Sequence, residues 1–157
     1  MSLTSKLLTT FAAATLATAA FAQDIITVDD AYARSSGKTA KAGAAFMMIQ
    51  NDGTTDDRLI GVKSDAAARV ELHTHIVDEN GVAKMTHVEE GFVIPAGEAH
   101  MLKRGGDHVM FMGLTAPFEQ DATVPVTLIF ENAGEVEIEI PVDLERNDAG
   151  GHGSHSN

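Results

Sequence analysis

Between Glu135 and Val142 the chain alternates without interruption, with Val136, Ile138, Ile140 and Val142 on one side of an extended strand and Glu135, Glu137 and Glu139 on the other. A strand with one oily and one wet side has to lay the oily side on a second layer, and antiparallel sheets do this. Eight further β-leaning runs precede it: Ile25 to Tyr32, Ala44 to Ile49, Arg58 to Val62, Val70 to Val77, Val82 to Val88, Glu98 to Lys103, His108 to Leu114 and Val124 to Phe130. Turn clusters separate them, among them Asn51-Asp52-Gly53, Glu79-Asn80-Gly81, Arg104-Gly105-Gly106 and Asn132-Ala133-Gly134. The expectation is an all-β single domain, a Greek-key antiparallel β-sandwich, with Ala66 to Arg69 the one place for a helical turn.

The first 22 residues carry one lysine, a Leu/Ala/Thr/Phe stretch and the small-residue end Ala20-Phe21-Ala22. This is the layout of a secretory signal peptide, with no membrane insertion expected once it is cleaved. Residues 23–144 then form the domain, and residues 145–157, nearly devoid of apolar side chains, read as a disordered tail. An exported chain is permitted disulfides, yet this one has no cysteine, so its stability must come from a core. About 135 residues suffice for one. The formal charge of -12 leaves nothing to displace counterions from nucleic acid or to hold an anionic lipid surface.

All seven histidines lie at or beyond position 73. His108, Met110 and Met112 share one side of a strand, and a hairpin upstream carries His73, His75, Met85 and His87. Imidazole and thioether without thiolate form a soft, neutral donor set. Such a set suits Cu(I), whereas zinc takes Cys, His and carboxylate, and a blue-copper centre needs a Cys thiolate. If Glu79-Asn80-Gly81 forms a three-residue loop with Gly81 in the left-handed position, His75 faces Met85, His73 faces His87, and all four share a face. A two-residue Asn-Gly turn would put Met85 on the other face from His75. The sequence leaves both registers open. Met47, Met48 and Met101 read as packing, Met112 as core beneath the site, and His87 and His100 as surface or internally satisfied residues, with His87 also a secondary candidate ligand. His152 and His155 in the tail form an open, nitrogen-rich pair suited to Cu(II).

These residues resemble the PCu(A)C copper chaperones, periplasmic proteins with an H-x10-M-x21-H-x-M pattern in a cupredoxin-like β-sandwich. The resemblance rests on Val70-Glu71-Leu72-His73, Met85, Ile94-Pro95-Ala96-Gly97 and Gly105-Gly106-Asp107-His108-Val109-Met110. It places the metal ligands on His73, Met85, His108 and Met110, and some members also end in a His-containing tail that binds Cu(II). The spacing departs from the pattern: eleven residues separate His73 from Met85, nine separate His75 from Met85, and twenty-two separate Met85 from His108. His73 is preferred because it follows Val-Glu-Leu as in the family, and His75 is the alternative. The resemblance implies a non-enzymatic carrier that passes Cu(I) to a periplasmic or membrane-anchored acceptor for assembly of cytochrome c oxidase copper centres. The rival readings are a copper-dependent redox enzyme and a copper-buffering or resistance protein.

Overall fold

The computed structural model describes residues 25–146; the expected leader and the His152/His155 pair lie outside the described residues. Ten strands follow one another: β1 (Ile26–Ser35), β2 (Ala42–Asn51), β3 (Asp57–Lys63), β4 (Ala67–Val77), β5 (Ala83–His87), β6 (Phe92–Ile94), β7 (Ala99–Leu102), β8 (His108–Leu114), β9 (Thr123–Phe130) and β10 (Gly134–Pro141). One sheet runs β1-β2-β8-β4-β5 with β7 also paired to β2, the other runs β10-β9-β3-β6, and every strand pairing is antiparallel. A parallel bridge between Ala33 and Val142 ties β1 to the residue that follows β10.

The core lies between the sheets. Met47 and Ile49 of β2, Leu72 of β4, and Val109 and Phe111 of β8 meet Leu59 of β3, Val126, Leu128 and Phe130 of β9, and Val136 and Ile140 of β10. Alternation then sends Phe46, His73, His108 and Met110 to the opposite face of the larger sheet. Two buried polar side chains lock loops to this frame. Asp57 accepts the backbone N–H groups of Arg58, Asn132 and Ala133, and the Asn51 amide donates to Thr55 O and Ile94 O while accepting from the Gly53 N–H. Both are therefore satisfied despite lying out of water.

The helical turn open to Ala66 to Arg69 does not form. Ala67 pairs with Leu114 and Arg69 with Met112, so cross-strand pairing over more than forty residues overrides local preference. In β1 the register slips between Asp29 and Tyr32, where Asp30 takes a φ of 52°, the geometry of a bulge.

Candidate metal site

The β4–β5 hairpin settles the register the sequence left open. His73 pairs with His87, His75 with Met85 and Val77 with Ala83, with Gly81 at φ 78° closing the loop through its N–H to Asp78 O. On its other side β4 pairs with β8, setting Arg69 opposite Met112, Glu71 opposite Met110 and His73 opposite His108. His73 is thus the directly facing neighbour of both His108 and His87. It is also the diagonal neighbour of Met85 and of Met110, within reach of long side chains. His75 faces Met85 directly and His108 diagonally, and it stands two rungs from Met110.

His108 owes its place to a break in pairing along β2. That strand pairs with β7 from Met47 to Gln50 and with β8 from Ala42 to Ala45, and the chain leaves β2 between them through Lys103–Asp107. Phe46 stands opposite this excursion. Its ring lies 6.1 Å from that of His108 and 5.1 Å from that of Tyr32, forming an aromatic shelf under the imidazole. His108 is 2% exposed, and this burial holds its pKa below the ordinary imidazole value against the opposing hydrogen bond to Gly106. Its Nδ1 lies 2.9 Å from Gly106 O. A carbonyl can only accept, so Nδ1 carries the proton and Nε2 keeps the lone pair.

Around His108 stand two more imidazoles, with ring centroids at 5.2 Å for His75 and 6.0 Å for His73. The Nδ1 atoms of both are buried and have no hydrogen-bond partner. Two unpaired buried ring nitrogens beside a third imidazole need a partner, and a metal ion meets that need. The Nε2 of His73 lies 2.9 Å from Glu71 Oε2, and this bond holds the Glu71 carboxyl below the usual carboxylate range. An open cleft of about 730 Å³ is lined by His75, Met85, His108, Met110, Phe46 and Arg104, among others. Among the described residues no three His, Cys, Asp or Glu side chains are grouped so as to hold a metal ion, and the other soft donors lining the cleft are the thioethers of Met85 and Met110.

The remaining candidates separate. His87 is exposed with its ring stacked on His73 at 5.8 Å. His100 is satisfied by Asp107 at 2.9 Å and stacked on Phe92. Met47 is core, whereas Met101 is half exposed beside β2. Met112 is not core beneath the site: it lies on the outer face, its sulfur 3.6 Å from Arg69 Nη2, because it is an even number of residues from His108 and so shares that side. The sequence reading missed Glu71, Phe46 and the Gly106 carbonyl. Glu71 was within its reach, since a residue two before His73 shares its face.

The family model described as "Putative lipoprotein LpqE-like" matches residues 26–142. "Putative lipoprotein Lxx21020" of Leifsonia xyli subsp. xyli is 35% identical over 119 residues, covering 76% of this chain and 70% of that protein. Among solved structures, the Cu(I) form of DR1885 from Deinococcus radiodurans has a TM-score of 0.62 at 27% identity, over 82% of this chain and 84% of that one. The copper-bound PCuAC domain from PmoF2 shares the fold with a TM-score of 0.64 at 24% identity, over 79% of this chain and 97% of that domain. The chain belongs to the LpqE-like family, which is the PCuAC-like family.

Proposed function

We propose that this protein is an extracytoplasmic copper carrier, working in the periplasm, that binds one Cu(I) through His73, Met85, His108 and Met110 and passes it to an acceptor protein. The observation that carries the reading is the outer face of β4, β5 and β8. There a buried imidazole with its Nε2 lone pair free lies beside the unpaired ring nitrogens of His73 and His75, and the thioethers of Met85 and Met110 line the same cleft as His75 and His108, with no thiolate available. The copper-bound PCuAC domains and the lipoprotein names of the relatives support both the metal and the location. The central register position of His73 supports it over His75 as the second imidazole.

The role is carriage rather than catalysis. Imidazole and thioether are uncharged, so the ion is held by soft donation without the strong attraction of a thiolate, and an acceptor with cysteines can draw it away by ligand exchange. The donors also grade in exposure, from His108 at 2% to Met85 at 52% on the edge strand β5. Exchange therefore begins at Met85, the donor an incoming ligand meets first, and His108 is the last to let go. The family's role in cytochrome c oxidase assembly makes a binuclear-copper domain the acceptor to try.

The test is anaerobic titration of the protein with Cu(I) followed by X-ray absorption. One equivalent with mixed sulfur and nitrogen scatterers is expected, and transfer on mixing with an apo binuclear-copper domain should follow. A shell of nitrogen and oxygen alone, or no stoichiometric binding, would reject the reading.

A further inference from the structure

Resting on the Cu(I) site just described, we propose that Glu71 is a positioning residue: its carboxylate fixes His73 as the Nε2–H tautomer, so that His73 offers Nδ1 to the ion while His108 offers Nε2. The two imidazoles would then bind through different ring nitrogens, each fixed by the acceptor at the other end of its ring.

A carboxylate oxygen 2.9 Å from the Nε2 of His73 can only accept, so that nitrogen must be the N–H. Neutral imidazole has one ring proton, which leaves the lone pair on Nδ1, the atom that is buried and without a partner. His108 is the mirror case, its Nδ1–H donated to Gly106 O. Ligating histidines almost always give their second ring N–H to a carboxylate, a carbonyl or water, and His73 and His108 have the first two of these. His75 has an unpaired Nδ1 but no such anchor among the described residues.

The carboxylate is itself held. Arg69 Nε lies 3.3 Å from Glu71 Oε1, so one oxygen faces the guanidinium and the other faces the ring. Arg69, Glu71 and His73 occupy alternate positions of β4 on one face, opposite Met112, Met110 and His108 of β8. This ladder also places a negative charge one hydrogen bond from a donor set that is otherwise neutral. A bound cation would have Glu71 as its nearest outer counter-charge on β4.

The experiment uses ¹⁵N-labelled protein and long-range ¹H–¹⁵N correlation of the histidine rings. In the metal-free protein, His73 should show an unprotonated Nδ1 and a protonated Nε2, and adding Cu(I) should shift its Nδ1. For His108 the Nε2 should shift instead. Glu71→Ala should mix the His73 tautomers and weaken Cu(I) binding by about ten- to a hundredfold, the usual effect of losing an outer partner. Glu71→Gln, whose amide oxygen still accepts the N–H, should restore the tautomer and most of the affinity. A simple packing role for Glu71 would leave the tautomer unchanged in Glu71→Ala. A protonated Nδ1 on His73 in the metal-free wild type, or a Cu(I) shift at its Nε2, overturns the proposal. If the tautomer is as expected but no Cu(I) binds, the copper reading fails and takes the donor assignment with it, while the positioning of His73 by Glu71 stands.

Discussion

Replacing Met85 by leucine separates the chemistry of the site from its packing. Met85 lies on the edge strand β5, all five residues of which are exposed, and it is itself 52% accessible to solvent. Leucine matches methionine closely in volume, and volume-conserving swaps even in cores cost less than about 1.5 kcal/mol. At a half-exposed edge position the change should stay within about 0.5 kcal/mol. For a domain of this size that moves Tm by less than about 4 °C. The register is also safe, because it is set by the Gly81 loop and by His73 facing His87, neither of which the substitution touches. The loss should therefore appear in metal binding alone. With Met85 as one of four soft donors, Cu(I) affinity should fall at least tenfold, about 1.4 kcal/mol. Competition against a colourimetric Cu(I) chelator under anaerobic conditions reads the affinity, and X-ray absorption reads one fewer sulfur. An unchanged affinity with an unchanged sulfur count would refute Met85 as a ligand and with it the proposal that exchange starts at β5.

Three further outcomes are expected. His73→Ala should weaken Cu(I) binding far more than His75→Ala in the same competition assay, and the reverse order would move the second imidazole to the residue facing Met85. Burial keeps His108 neutral in the fold below the pH at which the unfolded chain's imidazole, near 6.5, takes up a proton. Its contribution to stability is therefore complete above about pH 6.5 and is lost as pH falls toward the lower folded value. Urea midpoints of the metal-free protein should drop between pH 7 and 5.5 more steeply for wild type than for His108→Gln, and parallel curves would contradict this. Truncation after Arg146 should remove a weak Cu(II) signal from His152 and His155 while sparing Cu(I), as read by Cu(II) paramagnetic resonance, and a retained signal would place that ion in the folded domain. The cut belongs after Arg146 because the Asp143 N–H bonds Ala33 O and the Arg146 guanidinium lies 4.1 Å over the Tyr32 ring.

What the sequence disclosed and what it hid follow one division. Period-two alternation is a local signal, so β10, β9 and β8 were legible, and so was the shared face of His108 and Met110. Strands whose reason is a distant partner were not. β6 has only three residues between Gly91 and Pro95, too few to show a period, yet it pairs with β3 from Asp57 to Leu59. The end of β1, Ala33-Arg34-Ser35, lacks β-favouring side chains, but Ala33 is fully buried against the Val142 bridge. Met112 was read as core although it shares a side with His108 and Met110, and β8 turns that side away from the second sheet. In the site, residue types marked the candidate donors, whereas the hairpin register stayed open because a left-handed Gly81 suits either loop.

The length of the loop between His73 and Met85 decides which face of β5 carries Met85. A one-residue change in a hairpin normally inverts every side chain beyond it, which would turn Met85 away from the imidazoles. Here the Glu79-Asn80-Gly81 loop keeps Met85 opposite His75, with Val82 N–H and Asn80 N–H both bonded to the Asp78 carboxylate and the Gly81 N–H to Asp78 O. Asp78 is held below the usual carboxylate range chiefly by the Val82 N–H, so at neutral pH it stays an anion and keeps both donors. The face shared by Met85 and His75 thus depends on a turn several residues from the metal site. Inserting one more residue at this turn should flip Met85 off that face and cost Cu(I) affinity much as Met85→Leu does, while β4 stays paired to β8. Affinity unaffected by the insertion would show that Met85 is not held to the site by register.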